Sequence, residues 1–336
     1  MFDQFYQLTA SPFQLTPDPK FWFESATHRK AMAYLGYGLT QGEGFVVITG
    51  EIGAGKTTLT HHLMQQVDPT RIYAIRLVST QLDGTGIVTA VASAFGLPTQ
   101  GQGKAGLLAA IEALVTDRAR SGQKILIIVD EAQGLTHEAL EELRMLSNFQ
   151  LGGGAIIQLL LVGHPELRER LASDPSLEQV RQRVIAAHNL TTLEPSEVRS
   201  YVEHRLKCVG WAGRPTFTED VWRLLHSQSG GVPRRLNSIM HRVLLAGAVE
   251  QRDVISADLV MAVLHDMEDD LQMPAAPEAA TTPAPVADTH MLDVAARIAM
   301  LEARTEEQDA ALRRILEVMV EWAETQDGPQ QAASGF

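Results

Sequence analysis

The amino-acid sequence predicts an α/β fold in which helices cover both faces of a parallel five-stranded sheet, followed by a smaller unit made only of helices. Through the first 190 residues, short apolar runs alternate with helix-like stretches. The runs are apolar at nearly every position, which is typical of parallel strands buried on both faces. After Thr191 the helix-like stretches follow one another with no strand candidate between them.

Five apolar runs rich in Val, Ile, Leu or Ala are the candidate strands of this sheet. They are FVVITG (45–50), IYAIRLV (72–78), KILIIVDE (124–131), AIIQLLLVG (155–163) and AAHNL (186–190). Helix-like stretches separate these runs. The first follows the glycines after FVVITG and ends at Val67, and the others cover 86–97, 104–120 and 136–150. The last of these begins at Thr136, a favoured N-cap residue.

A change in composition at residue 271 separates the helical second unit from the C-terminal region. The helix-like stretches of the second unit cover 195–209, 217–228, 232–249 and 255–270. The next twenty residues contain four Pro and six Ala, which is typical of a semi-extended linker. The sequence therefore predicts an α/β domain with an N-terminal lead segment (1–190), a helical lid (191–270), an Ala/Pro-rich linker (271–290), a coiled-coil helix (291–325) and a disordered tail (326–336).

The coiled-coil helix is predicted from a heptad seam that extends over nearly five heptads. The seam positions are Met291, Val294, Ile298, Leu301, Thr305, Gln308, Leu312, Ile315, Met319 and Trp322. Only Thr305 and Gln308 among them are polar. An amphipathic helix docked on the protein's own body is one explanation, but the preceding linker favours pairing with another copy or with a partner protein.

Composition predicts a cytoplasmic globular protein. Hydrophobic residues make up 45% of the chain, and the single cysteine, Cys208, excludes an intrachain disulfide and fits a reducing compartment. The N-terminal stretch MFDQFYQLTA has no features of a signal peptide. No stretch approaches the ~20 consecutive apolar residues that a membrane span needs. We expect association with a membrane only through a partner.

The net charge of −13 is unevenly distributed. From Asp266 onward lie 15 of the 41 acidic residues and only 4 of the 28 basic residues, so the body before it is nearly neutral. A generally basic footprint for nucleic acid is missing, which argues against DNA as a partner.

The stretch GEIGAGKT (50–57) fits the phosphate-loop pattern G-x-x-x-x-G-K-[ST] between a candidate strand and a helix-like stretch. Its glycines let backbone N–H groups face phosphate, and the helix N-terminus adds partial positive charge. We expect Lys56 to reach the β- and γ-phosphates of ATP and the Thr57 hydroxyl to bind Mg²⁺. The predicted nucleotide-binding residues are Gly50, Glu51, Ile52, Gly53, Ala54, Gly55, Lys56, Thr57 and Thr58.

A second motif, ILIIVDE (125–131), is an apolar strand that ends in two carboxylates. Asp130 is predicted to hold the magnesium shell, and Glu131 is predicted to polarise the attacking water. A strand that ends in acid is common, so this interpretation depends on the phosphate loop upstream. The glutamate favours hydrolysis over simple storage of nucleotide.

Two pairs of arginines are candidates for contacts with the γ-phosphate. The segment GVPRRLN places Arg234 and Arg235 at a helix start, where positive charge is unfavourable to the helix dipole. A phosphate would justify one of them, since it suits the planar guanidinium fork. The segment RQR places Arg181 and Arg183 where either could act as an arginine finger on a neighbouring subunit in a homo-oligomer. A surface basic pair or salt bridge is the alternative at both positions.

The fourth candidate strand ends in Gly163 and His164, followed by Pro165 and Glu166. Burial accounts for the apolar part of the strand but not for an imidazole and a carboxylate at its end. A strand-end histidine with its hydrogen bonds satisfied is the alternative to a functional role. A neutral imidazole can donate from one ring nitrogen, so a role beside phosphate is feasible.

In this order, the motifs resemble the AAA+ ATPases and, within them, the general secretion pathway protein A (ExeA-like) group. The likeness covers about residues 1–268. The matching segments are FYQLTASPFQLTPDPKFWF (5–23), HRKAMAYLGYGL (28–39), EGFVVITGEIGAGKTTL (43–59), LIIVDEAQGL (126–135), LVGHPEL (161–167), RQRV (181–184), HRL (204–206) and GVPRRLN (231–237).

The resemblance implies a P-loop sheet of order 5-1-4-3-2 with a helical lid over ATP and Mg²⁺. It implies that His164 senses the γ-phosphate and the lytic water, that Arg234 closes the lid on nucleotide, and that the SPF and TPDP segments lie near adenine. The group often has Gln where this chain has His164. Secretion-type members commonly add a transmembrane helix and a peptidoglycan-binding domain, which this sequence does not show. The linker together with the end segment LRRILEVMVEWAE (312–324) looks more like the cytoplasmic members linked to exosortase and exopolysaccharide gene sets.

The expected function is ATP hydrolysis that energises or gates an envelope secretion system or an exopolysaccharide export and assembly system. The C-terminal helix would contact a protein of that machinery. One alternative is a DNA-associated regulator similar to the transposition ATPases. Another is a nucleotide-switched scaffold in which the coiled coil acts and turnover is slow.

Overall fold

Five parallel strands form the central sheet of the computed structural model, which describes residues 2–14, 16–42, 44–78 and 82–271. The strands are β1 (Phe45–Gly50), β2 (Ile72–Val78), β3 (Lys124–Asp130), β4 (Ile157–Gly163) and β5 (Val184–Leu190). Their spatial order is β2-β3-β4-β1-β5, and every neighbouring pair is parallel. This confirms the α/β fold and the 5-1-4-3-2 order that the resemblance implied.

The three inner strands are apolar because both of their faces are covered. All residues of β1 and β4 are buried, as are all residues of β3 except Lys124. Successive side chains of β3 alternate between two separate cores. Ile125, Ile127 and Val129 belong to one core, while Leu126 and Ile128 belong to the other. The edge strands β2 and β5 are only partly buried, which fits their place in the sheet.

Helices of the α/β part flank the sheet on both faces. They are α1 (Ala26–Gln41), α2 (Lys56–Gln66), α3 (Gly84–Ala94), α4 (Lys104–Arg120), α5 (His137–Leu146) and α6 (Pro165–Ser173). Helices α3, α4 and α5 supply one core, and α1 and α2 supply the other. Thr136 caps α5 as predicted, because its side chain accepts the N–H of Ala139 at 3.2 Å.

Helix α5 ends four residues earlier than the sequence predicted, and β4 begins two residues later. The chain between them forms a small antiparallel hairpin of Gln150–Leu151 and Gly154–Ala155. Its turn residues Gly152 and Gly153 have φ values of 62° and 83°, which glycine adopts without a Cβ penalty. Shorter elements are Phe2–Phe5 and Glu178–Arg181 (α-helical) and Pro19–Phe21, Ala132–Gly134 and Pro175–Leu177 (3₁₀).

The lid contains α7 (Pro195–Lys207), α8 (Glu219–Ser229), α9 (Pro233–Val249) and α10 (Ala257–Leu271) around a third core. Phe2, Tyr6, Leu8, Phe13 and Phe21 of the N-terminal lead segment are buried in that same core. The lead segment therefore packs against the lid. A two-residue parallel pair, Thr216–Phe217 with Val254–Ile255, also lies within the lid, where the sequence suggested no strand.

No helix in the described part of the chain is long and apolar enough to cross a membrane. Apart from Leu271, the predicted linker (271–290), coiled-coil helix (291–325) and tail (326–336) lie outside the described residues.

Candidate nucleotide-binding site

A cleft opens where the carboxyl ends of β1, β3 and β4 meet, which is the usual ligand position in an open parallel sheet. Its volume is about 760 Å³, including the open mouth. The phosphate loop, two strand ends, the lid and the lead segment all line it. The lining residues are Gln14, Thr16, Pro17, Asp18, Ile52, Gly53, Gly55, Lys56, Thr57, Thr58, Glu131, His164, Tyr201, Arg205, Pro233, Arg234 and Asn237.

Two glycines of the phosphate loop are required by conformation and by space. Gly53 and Gly55 have φ values of 85° and 97°, in the left-handed region that other residues rarely adopt. A Cβ on Gly53 would lie 2.6 Å from the Cβ of Arg234, and one on Gly55 would lie 2.9 Å from Nε2 of His28. The loop thus packs tightly between the lid and α1.

Lys56 is held inside this loop. Its Nζ donates hydrogen bonds to the carbonyls of Gly50, at 2.7 Å, and Glu51, at 3.1 Å. Ala54 behind it is buried, and the N–H of Ala54 donates to the Glu51 carbonyl at 3.1 Å. Thr57 follows Lys56 in the first turn of α2 and lines the cleft.

Lys56 is 6% exposed, and burial lowers the pKa of its ammonium group. The charges of Glu131, Asp130 and Glu51 act in the opposite direction, whereas Arg234 lowers the pKa further. Two cations therefore face the same cleft and repel each other. A bound polyphosphate would relieve this repulsion, which is an electrostatic reason for the site to prefer anions.

His28 supports the loop from behind, a role that the sequence did not suggest although HRKAMAYLGYGL carried the family resemblance. Its Nδ1 lies 2.6 Å from Oγ of Ser25, and its ring meets Trp22 edge-on at 5.0 Å. Trp22 in turn stacks on His62 at 4.1 Å. Burial lowers the pKa of His28 to about 4, so the imidazole that faces Gly55 is neutral at physiological pH.

Asp130 is 2% exposed and forms an ion pair with Arg76 of β2. Nη2 of Arg76 lies 2.6 Å from Oδ2 of Asp130, and Nη1 lies 2.9 Å from Nε2 of His61. The other carboxylate oxygen accepts the N–H of Glu131 at 3.1 Å. Sequence reasoning missed Arg76, although a lone basic residue inside the apolar run IYAIRLV was the signal.

Glu131 and His164 come together at the adjacent ends of β3 and β4. Nε2 of His164 lies 3.5 Å from Oε2 of Glu131, and Nδ1 lies 3.9 Å from Oε2 of Glu166. Gln133 contacts both strand ends, a residue that the sequence analysis had not singled out. The Glu131 side chain is 40% exposed, so its carboxylate can meet solvent water in the cleft.

Arg234 joins the lid to the phosphate loop. Its backbone N–H donates to the Gly53 carbonyl at 3.3 Å, and its exposed side chain lines the cleft. Arg235 beside it is also exposed but does not line the cleft. Of the two arginines in GVPRRLN, it is therefore Arg234 that faces the site.

Arg181 and Arg183 do not line the cleft of their own chain. Arg181 pairs with Glu178 and donates to the Ala172 carbonyl at 2.9 Å, while Arg183 donates to Oδ1 of Asn148. A role as an arginine finger would require either side chain to leave these contacts. That role stays a prediction.

The residues present fit a nucleotide with Mg²⁺. Among the described residues, no cluster of three or more His, Cys, Asp or Glu side chains could hold a metal alone. A metal here would depend on phosphate oxygens, as Mg²⁺ commonly does, with Thr57 and Asp130 as the protein groups that would hold it. Bound Mg²⁺ would neutralise charge on the phosphates.

Comparisons with known proteins find relatives of this chain and of its fold. A family model described as an AAA domain matches residues 39–171. General secretion pathway protein A of Aeromonas hydrophila is 36% identical over 264 residues, which is 78% of this chain and 48% of that protein. The chain thus spans about half the length of this curated relative.

Solved structures of low sequence identity share the fold. The ORC2 protein of Aeropyrum pernix, in ADPNP-ADP complexes, aligns with a TM-score of 0.53 at 20% identity over 75% of this chain and 72% of that chain. Cdc6p of Pyrobaculum aerophilum aligns with a TM-score of 0.57 at 16% identity, over 81% and 74% of the two chains. The solved structures show a shared fold. The family model and the 36% identity show that residues 39–171 form an AAA domain and that the chain is related, over its matched part, to general secretion pathway protein A.

Proposed function

We propose that the cleft binds ATP with Mg²⁺ and that Glu131 is the general base of hydrolysis. Lys56 would contact the β- and γ-phosphates, and Thr57 and Asp130 would hold the metal. His164 would sense the γ-phosphate. The phosphate loop would bind the nucleotide, the ends of β3 and β4 would supply the base and the sensor, and Arg234 would close the lid.

The convergence of opposite charges in one cleft is the observation that carries this proposal. Lys56, Glu131 and Arg234 line the same cleft, and Asp130 ends β3 immediately before Glu131. A carboxylate beside a cationic phosphate site can accept a proton from water as the water attacks phosphorus. Arg234 approaches the same loop from the lid, so nucleotide would draw the lid and loop together.

Glu131→Gln tests the base directly, since it keeps the size of the side chain and removes its ability to accept a proton. We expect ATP binding to be retained and hydrolysis to fall by about 10²-fold or more. A fluorescent ATP analogue measures binding, and phosphate release measures turnover. Glu166→Gln is the matched control, because Glu166 is exposed at 73% and lies 3.9 Å from the other ring nitrogen of His164. Near wild-type turnover of Glu131→Gln would move the base elsewhere.

For the process served, we propose that this ATPase energises or gates an envelope secretion or exopolysaccharide export machine. The support is the 36% identity to a general secretion pathway protein A. The predicted C-terminal helix would bind a protein of that machine, and the ATPase would work as a homo-oligomer at the cytoplasmic side. Arg181 or Arg183 would then reach the phosphates of a neighbouring copy.

Two measurements separate this process from the alternatives. Binding to duplex DNA that weakens steeply with salt would favour a DNA-associated regulator. A steady-state ATPase rate near zero, with nucleotide-dependent binding of a partner, would favour a switched scaffold. Recovery of envelope export proteins in an ATP-dependent pull-down, without DNA binding, is the result that we expect.

A further inference from the structure

We propose that Gln133 is a positioning residue that orients the Glu131 carboxylate to accept a proton from the lytic water as that water attacks phosphorus. The inference rests on the proposed role of Glu131 as the base. Gln133 lies in the 3₁₀ turn Ala132–Gly134 that follows β3, so it comes from the same loop as the carboxylate that it contacts.

One amide group bridges the ends of two neighbouring strands. Nε2 of Gln133 donates to Oε2 of Glu131 at 2.6 Å, and Oε1 of Gln133 accepts the backbone N–H of His164 at 3.0 Å. An ionised carboxylate can only accept, and a backbone N–H can only donate. The amide therefore has a single orientation that satisfies both partners, and a flipped amide would lose both hydrogen bonds.

The approach of this side chain to β4 depends on a glycine. A Cβ on Gly163 would lie 2.8 Å from Oε1 of Gln133 and 3.3 Å from the Gln133 backbone nitrogen. Contacts under 3.0 Å require a neighbour to shift, and the side-chain oxygen is already fixed by its hydrogen bond to His164. The absence of a side chain at Gly163 thus lets the amide reach both partners.

Glu131 itself has an unusual backbone that makes such support necessary. Its φ of 57° and ψ of 36° lie in the left-handed region, which is uncommon for residues other than glycine. The Glu131 side chain is also 40% exposed. Without a partner, an exposed carboxylate samples several rotamers.

The amide donor occupies one oxygen of Glu131 and leaves the other oxygen to accept a proton from water. His164 faces the same occupied oxygen from 3.5 Å, so the amide and the imidazole hold it from two sides. Because the fixed carboxylate matters to the attack on phosphate and not to the binding of the phosphates, loss of Gln133 should lower kcat while KM stays unchanged.

Two variants separate the two hydrogen bonds. Gln133→Glu keeps an acceptor for the His164 N–H but replaces the donor to Glu131, and Gln133→Met removes both. We expect kcat to fall at least tenfold in both variants. In Gln133→Met, KM and the Kd for a fluorescent ATP analogue should stay within about twofold of wild type. Both variants should also have a lower melting temperature, because Gln133→Met leaves the His164 N–H without its partner and Gln133→Glu places a second carboxylate against Glu131.

Gln123→Glu is the matched control, because Gln123 is also a bridging amide. It donates to the Pro69 carbonyl at 2.9 Å and accepts from Arg118 at 3.3 Å, at the opposite end of β3. Its kcat should equal that of wild type. Glu131→Gln is assayed in parallel.

A Gln133→Glu variant with wild-type kcat, beside an inactive Glu131→Gln, would overturn the positioning role alone. Loss of nucleotide affinity in parallel with kcat in both Gln133 variants would show a purely structural role and would also overturn it. If Glu131→Gln is itself active, the proposed base and the inference fail together.

Discussion

The carboxylate of Asp130 is paired with the guanidinium of Arg76, so a protein cation balances its charge in the absence of a metal. A carboxylate that is 2% exposed needs compensation, and Arg76 supplies it at 2.6 Å. Both carboxylate oxygens also accept hydrogen bonds, from Arg76 and from the Glu131 N–H. The buried acid is therefore stable without Mg²⁺, which an isolated buried carboxylate would not be.

Replacing Arg76 with Met should therefore destabilise the metal-free protein, because it leaves Asp130 buried and unpaired. Breaking a buried pair costs about 3–5 kcal/mol, and the loss here should lie at the lower end because Arg76 is 24% exposed. Urea unfolding in EDTA measures the change in unfolding free energy. Arg71→Met, at an exposed residue just before β2, is the control and should change it by less than about 0.5 kcal/mol. Equal losses in the two variants would contradict the pairing.

His28 makes the stability of the folded protein depend on pH. Its pKa is lowered from 6.5 to about 4 by burial, so between these values the unfolded chain binds a proton that the folded chain does not. The stability that the neutral ring contributes is complete above pH 6.5 and is lost as pH falls towards 4. At about 1.4 kcal/mol per pH unit, the loss reaches on the order of 3 kcal/mol.

Comparison of wild type with His28→Gln isolates this histidine from the others. Burial also lowers the pKa values of His61, His62, His188 and His204. Each of these histidines should therefore add to the loss of wild-type stability as the pH decreases. We expect the melting temperature of wild type to fall more steeply between pH 7 and pH 5 than that of His28→Gln. Parallel curves would exclude His28 as a source of the pH dependence.

At the scale of elements, the sequence predicted the strands better than the contacts between them. Runs such as FVVITG are apolar at every position because β1 lies inside the sheet with both faces covered, so composition alone reveals them. The hairpin at 150–155 follows from two left-handed glycines, and no periodicity marks so short an element. The pair Thr216–Phe217 with Val254–Ile255 forms across 36 or more residues and has no local signal.

The site could also be predicted only in part: its contiguous motifs were found, but the residues that support them were not. The phosphate loop and the two carboxylates after β3 are contiguous motifs with a known spacing. Arg76, Gln133 and His28 act through partners that only the folded chain brings near, since β2 pairs with β3 and α1 packs beside the loop. Only Arg76, a lone basic residue inside an apolar run, carried a signal in the sequence; the residue types of Gln133 and His28 gave no reason to choose them.

Arg205 of the lid contacts the lead segment and holds it against the lid. This residue is 8% exposed, and its Nε donates to the Pro12 carbonyl at 2.7 Å. Its guanidinium lies 4.5 Å from the Phe21 ring, and Nη1 donates to the Tyr201 hydroxyl at 3.2 Å. One side chain of α7 thus ties two parts of the lead segment to the lid.

Arg205→Met should loosen the lead segment while it keeps much of the apolar packing. We expect the unfolding free energy to fall by roughly 1–3 kcal/mol, the cost of lost hydrogen bonds from a charged group. Limited proteolysis should then cleave within residues 2–18 sooner than in wild type. Arg199→Met, an exposed residue of the same helix paired with Glu203, is the control. Unchanged proteolysis of the lead segment would show that its apolar residues alone hold it.

At the scale of the whole molecule, the sequence predicts that the C-terminal region has a different task from the body that contains the cleft. The sequence predicts a heptad seam at 291–325 behind a linker of about 20 residues, and an isolated helix cannot bury such a seam. Another copy or a partner helix would bury it. Thr305 and Gln308 interrupt the seam at consecutive core positions, which should lower its stability and help to set its register.

Removal of residues 272–336 should therefore leave the nucleotide site folded, because every residue that lines the cleft lies before position 238. ATP binding should be unchanged, and either self-association or recovery of a partner should be lost, as measured by sedimentation with and without ATP beside a pull-down. Thr305→Leu combined with Gln308→Leu should strengthen association and broaden its specificity, since two polar core positions become apolar. If truncation changes neither assembly nor bound partners but lowers the melting temperature of the body, the helix packs on its own chain. The coiled-coil prediction would then be wrong, and the seam would belong to the fold of the body.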